Sequence, residues 1–277
     1  MDCIVTAGGQ IQEDDPLYPF TSGKPKSLIE INGMTMLEYV VRALEASPLV
    51  DHIYVVGLDQ SDVNHLHLPQ NITLVPESGG LVANLSAALN RLLLDNPQAK
   101  TALLCSADIP LLTPEVINAY IEDCRPFDCI AYYNVVTRET IEKHFPGSGR
   151  TFVRLRDQAI AGGDMTLVQT RILNTNEALW EAIVNGRKHA WRLARLVGLR
   201  VLLRLLFRRL TVSEIEQLAS RLLDAPVRII NSPFPELAMD VDKPRQVELL
   251  RGMLRPTPSR KMPAVCLPDT RYLIDTY

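Results

Sequence analysis

The feature that most constrains this chain is an alternation of two hydrophobic rhythms along its first half. Short apolar runs recur as "CIVT" (3–6), "HIYVVG" (52–57), "ITLVP" (72–76), "TALLCSAD" (101–108) and "CIAYYNVV" (129–136). Between them, apolar residues fall at helical spacing: Leu37, Val40, Val41 and Leu44, then Leu81, Leu85, Ala88, Leu89 and Leu92. Thr113-Pro114-Glu115 opens a further helix, with a hydroxyl as N-cap and proline in the first turn. Strand-like and helical runs in alternation predict an α/β fold, a mainly parallel sheet with helices on both faces. Such sheets bind ligands outside the carboxyl ends of their strands.

The rhythm loosens after about residue 143. Residues 144–168 read as turns, short strands and a return strand, and 175–224 as helical. "PVRII" and "LAMDV" read as short strands and 244–254 as a closing helix started by Pro244. With 277 residues, 47% of them hydrophobic, the chain has material for one substantial core. The reading is a single domain over 1–255. It comprises a ligand-binding half (1–136), a segment with a helical insert (137–225), and a last strand and helix (226–255). A proline-rich tail follows over 256–277. The net charge of −3 provides no basic field for nucleic acid. Five cysteines without zinc-site spacing fit reduced core thiols and a cytoplasmic location. The apolar start carries Asp2 and runs straight into glycines, unlike a signal peptide, and no eighteen-residue apolar stretch occurs.

Three pieces carry chemistry. Ala7-Gly8-Gly9 follows the first strand and leaves its backbone without side-chain walls, so N–H groups there can approach a phosphate or a base. The loop it opens ends in Lys24-Pro25-Lys26, a source of positive charge. Neither the Walker nor the dinucleotide glycine pattern is present. Asp108, at the end of an apolar strand before Ile109-Pro110, is a hard oxygen ligand on a rigid support. "AMDVDKP" (238–244) places Asp240 and Asp242 two apart. In an extended run they point to opposite sides, so one of them faces a site. Each piece also has a plainer reading: a tight turn, a loop carboxylate, a helix cap.

Together "TAGGQ…GKPKSLIEINGMTMLEYVVRAL", "CSADIPLLT" and "MDVDKPRQVELL" resemble the nucleotidyltransferases of the sugar-phosphate and molybdenum-cofactor guanylyltransferase-like group. The resemblance covers most of 1–136 and resumes at about 226–252. It implies a GT-A-like, Rossmann-like fold and the transfer of an NMP group from NTP to a phosphorylated acceptor, with release of pyrophosphate. Carried over by position, Ala7, Gly8 and Gly9 would hold the nucleotide through the main chain. Lys26 would meet the α-phosphate and pyrophosphate, and Asp108 and Asp242 would hold Mg²⁺. Gly79, Gly80 and Asn84 in "ESGGLVANL" would shape the base pocket. Where many relatives place a triphosphate-clamping arginine, this loop has Gln12, Glu13, Asp14 and Asp15, which repel an NTP unless a metal or Lys24 compensates.

"GSGRTFVRLRDQAIAGGD" (147–164) resembles the group's acceptor-side segment. Arg150, Arg154 and Arg156 would meet an anionic group there, and Gly162 and Gly163 would let backbone approach it. Residues 187–210 hold eight basic residues and no acid, with Arg200, Arg204 and Arg208 on one helical face. A peripheral contact with an anionic membrane, a homodimer interface and a buried helix with outward arginines all fit. Two other functions compete with nucleotidyl transfer. One is a GT-A glycosyltransferase using "DVD" as its metal motif; the other is a non-catalytic nucleotide-binding or membrane-associated protein.

Overall fold

A computed structural model describes residues 1–174 and 198–254 of the chain. The first part of the basic segment, 187–197, and the tail 256–277 lie outside the described residues. The five apolar runs all form strands. β1 is Asp2–Thr6, β2 Glu30–Ile31 and β3 Met34–Thr35, followed by β4 Ile53–Val56, β5 Ile72–Val75 and β6 Thr101–Ser106. Then come β7 Ala131–Thr137, β8 Val153–Arg154, β9 Ala159–Gln169 and β10 Val227–Asn231. β2 and β3 make a small hairpin, and the others form one sheet in the order β10-β7-β9-β6-β1-β4-β5, with β8 added to β9. β5, β4, β1 and β6 are parallel to one another, as are β7 and β10. The return strand β9 runs antiparallel between β6 and β7.

Alternation along β1 shows how the layers form. Cys3 and Val5 face one side, packing with Leu37, Val40, Val41 and Leu44 of the helix Met36–Glu45 and with Ile117, Tyr120 and Ile121 of the helix Pro114–Asp123. Ile4 faces the other, against Ala88, Leu89 and Leu92 of the helix Leu81–Asp95. Each fully buried leucine or isoleucine contributes about 1.5–3 kcal/mol, so both faces are fixed by packing rather than by propensity. The helix starts follow the sequence: Thr35 and Glu38 form a reciprocal capping box, and the Thr113 hydroxyl accepts from the Val116 amide. Cys3, Cys105, Cys124 and Cys129 are buried free thiols.

Two expectations of the second half need correction. "LAMDV" is not a strand: Pro235–Ala238 turns as a single 3-10 helix and no ladder takes up the residues after it. Leu237, Ala238, Met239 and Val241 are buried there, so packing on the sheet replaces strand pairing. Arg200, Arg204 and Arg208 do not share one helical face either. The helix Leu199–Leu206 ends before Arg208, whose φ of 55° is left-handed. Arg204 meets Glu214 of the next helix, Val212–Leu222, at 2.6 Å. Among the described residues no helix is long and apolar enough to cross a membrane.

Candidate active site

The chain moves from β1 outward to β4 and β5, then returns to place β6 on the other side of β1. That reversal opens a crevice at the carboxyl ends of β1 and β6, where such sheets bind ligands. Ala7 leaves β1 as its amide donates to Val56 at 2.9 Å. Gly8 then passes so close to Gly57 that a Cβ on Gly8 would lie 2.8 Å from the Gly57 carbonyl oxygen. Gly9 follows with a φ of 97° and open space where a side chain would be. Gly79 and Gly80 are also at positive φ beside open space. Asn84, buried at the start of its helix, accepts from the Ser78 amide at 2.6 Å and donates to Glu77 at 2.8 Å. Its side chain therefore holds the glycine loop in shape.

The loop from Gln10 is closed by a bridge to Pro25 and by the Ser27 hydroxyl donating to the Ala7 carbonyl at 2.6 Å. These two ties set Lys26 at the strand ends. Its ammonium lies 2.5 Å from Asp108 and 2.8 Å from Asp242. Burial works against a charged lysine, but the carboxylates of Asp108 and then Asp242 outweigh it and hold the Lys26 pKa above its ordinary value. The last segment is tied in through its backbone, with the Val241 amide donating to the Asp108 carbonyl at 3.2 Å. Gln246 accepts from the Asp242 and Lys243 amides at 2.8 Å each, which fixes the entry to the helix Pro244–Met253.

Asp240 joins the cluster. Ligand oxygens of Asp108, Asp240 and Asp242 lie within 4.8 Å of one another. The extended alternation that would have turned one of the pair away is absent, so both acids face the crevice. Sequence reasoning also missed Asp164 on β9. Burial, and next the charge of Asp108, push its pKa up to about 7 against the opposing pull of Arg150. An acid inside an otherwise apolar strand, directly after two glycines, was the signal available. Arg150 ties these groups together: it pairs with Asp240, lies 3.9 Å from Asp164 and donates to the Gly162 carbonyl at 3.2 Å. Gly162 and Gly163 face β7, with Tyr133 and Asn134 filling the room a side chain would need. They serve strand packing rather than an open approach. Arg154 and Arg156 are exposed. In the acidic loop, Glu13 and Asp14 are exposed to water, and Asp15 accepts from the Leu17 amide at 2.8 Å.

The residues fit a divalent cation. Carboxylate oxygens of Asp108, Asp240 and Asp242 converge in the crevice, and among the described residues their ion pairs are with Lys26 and Arg150. Its donors are hard carboxylate oxygens. One Asp164 oxygen is buried and accepts no hydrogen bond.

A family model described as the MobA-like NTP transferase domain matches residues 4–228. Among solved structures, a hypothetical transferase from Thermus thermophilus is 32% identical, with a TM-score of 0.74 over 89% of this chain and 98% of that one. A 4-diphosphocytidyl-2C-methyl-D-erythritol synthase from Anaerococcus prevotii is 12% identical, with a TM-score of 0.53 over 91% and 95%. A CMP:2-keto-3-deoxy-manno-octonic acid synthetase complexed with CTP, also 12% identical, has a TM-score of 0.54 over 91% and 98%. The last two share the fold. No curated protein matches the sequence.

Proposed function

The chain belongs to the MobA-like NTP transferase family, and we propose that it transfers an NMP group from NTP to a phosphorylated small-molecule acceptor, releasing pyrophosphate. The observation that carries this reading is the meeting of Lys26, Asp108 and Asp242, drawn from three distant stretches of chain. An ionised acceptor phosphate is already a nucleophile, so the reaction needs no strong base. It needs alignment and neutralisation of charge on the α-phosphate and the leaving pyrophosphate.

Each part of the crevice has a task in that scheme. The backbone at Ala7, Gly8 and Gly9 admits the nucleotide without side-chain obstruction. Gly79 and Gly80, held in shape by Asn84 and Glu77, border the base. Lys26 remains cationic through the neutral range and balances phosphate charge. Asp108, Asp240 and Asp242 would hold Mg²⁺, which supplies Lewis-acid stabilisation of the phosphates when bound. Arg150 positions Asp240 and so keeps that carboxylate in the crevice.

The test is pyrophosphate release by the purified chain with each NTP, Mg²⁺ and pooled phosphorylated acceptors. Turnover should require metal, and Asp108→Ala should lower it by about 10²–10³ or more while circular dichroism stays unchanged. Near-normal turnover of Asp108→Ala would reject the assignment. Sugar transfer from a sugar nucleotide without pyrophosphate release would favour the glycosyltransferase reading.

A further inference from the structure

A second charged concavity lies beside the acid cluster. It has a volume of about 430 Å³ and is walled by Arg138, Glu142, Phe152, Arg154, Arg245 and the 147–150 loop. Four arginines face one glutamate in this lining. Two of the four are accounted for within the protein. Arg138 pairs with Glu142 at 2.7 Å and stacks over Phe152, and Arg150 pairs with Asp240. Arg154 and Arg245 form no ion pair among the described residues.

The floor of the cavity is built to hold that charge in place. Lys243 donates to the Gly149 carbonyl at 2.6 Å. The Arg245 guanidinium lies over Gly147, where a Cβ would come within 2.7 Å of it. Gly147 and Gly149 take φ of 68° and 74°, which lets the loop curl around Ser148. The same short stretch that delivers Asp240 and Asp242 to the crevice thus delivers Lys243 and Arg245 here.

We propose that this cavity binds a phosphate monoester group carried by the acceptor, separate from the group that reacts. Two uncompensated guanidinium groups match a phosphate monoester, which bears about −1.5 to −2 charges at neutral pH and three strong acceptor oxygens. A single carboxylate would leave one of them unmatched. The cavity has room for the phosphate and several attached carbon atoms. The acceptor is then a compound with two anionic ends, one seated here and one presented to the nucleotide. This rests on the transfer reaction proposed above, but the binding itself can be measured without turnover.

The experiment titrates the purified chain with orthophosphate, glycerol phosphate and acetate by calorimetry at constant ionic strength. Orthophosphate and glycerol phosphate should bind, and acetate should be at least about tenfold weaker, the difference one lost charge-assisted hydrogen bond makes. Arg154→Ala should weaken both phosphates about tenfold; its side chain is exposed and forms no ion pair among the described residues, so the fold should be kept. Gly147→Ala, which pushes Arg245 aside, should weaken them as well. Unchanged affinity in both variants overturns the site. Binding of orthophosphate but not glycerol phosphate overturns the acceptor assignment. NTP binding is titrated in parallel: its absence in the wild type would sink the transfer reaction, while the response of phosphate binding to Arg154→Ala would still decide the cavity.

Discussion

Two clusters of charge adjoin one another on this molecule and are handled in opposite ways. At the strand ends, Lys26 and Arg150 are clasped by acids at ion-pair distance, and a buried carboxylate has its pKa raised to about 7. In the neighbouring cavity, Arg154 and Arg245 are exposed and form no ion pair among the described residues. In the first arrangement both cations are already held by acids from distant stretches of chain, so its geometry is set before any ligand arrives. The second leaves its charge uncompensated and asks for an anion from outside. Alignment chemistry benefits from the first kind of site and recognition of a charged handle from the second.

The sharpest way to break this contrast is Lys26→Ala. It should reduce pyrophosphate release by about 10²–10³. It should also lower stability by about 2 kcal/mol, less than for a fully buried pair because Asp242 is half exposed. Urea denaturation and a pyrophosphate assay read the two effects separately. A variant of full stability would mean that the acids are not held together by this lysine.

Asp164→Asn probes the same cluster through pH. A carboxyl group whose pKa is raised by folding is held protonated in the native state when the unfolded chain has already lost that proton. The resulting cost grows as pH rises from the ordinary carboxylate range to about 7 and then levels off. The variant should match the wild type near pH 4 and exceed it by about 2 kcal/mol at pH 8. That is roughly half of what the full shift allows at about 1.4 kcal/mol per unit, since the Asp164 side chain is partly exposed and solvent screens it. Metal-free thermal denaturation at both pH values tests this; a difference independent of pH would refute the burial argument.

The smallest expected effect belongs to the other cluster. Arg154→Ala should change stability by less than about 0.5 kcal/mol in the same denaturation experiment. A larger loss would reveal a counter-charge and erase the distinction between the two regions.

How legible each region was in the sequence follows from the same physics. β1, β4, β5, β6 and β7 were readable because burial on both faces forces continuous apolar runs, bounded by the caps and turns around them. Asp108 stood out at the end of such a run, Lys26 at the end of the loop that the glycines open, and Asp242 directly before Lys243 and Pro244. Asp240 was misplaced because an alternation rule was applied to a stretch that forms no ladder. Asp164 and Arg245 were missed for a different reason. Their neighbours in space come from β6, the 147–150 loop and the last segment, and no local pattern records those approaches. Asn84 was singled out as a base-pocket candidate; it lies in the first turn of the helix Leu81–Asp95, with its side-chain hydrogen bonds spent on the loop before it.

The family match ends at residue 228, whereas the backbone tie between Val241 and Asp108, and both acids that flank it, lie beyond that limit. On a ribosome, the sheet's central strands emerge long before residues 240 and 242 do. A chain cleaved just past β10 would lose the buried packing of Leu237, Ala238, Met239 and Val241 and would leave Lys26 with Asp108 as its remaining partner from the pair described above. For the transfer reaction proposed above, the charge cluster is therefore completed only when the segment beyond the family match docks against the end of β6.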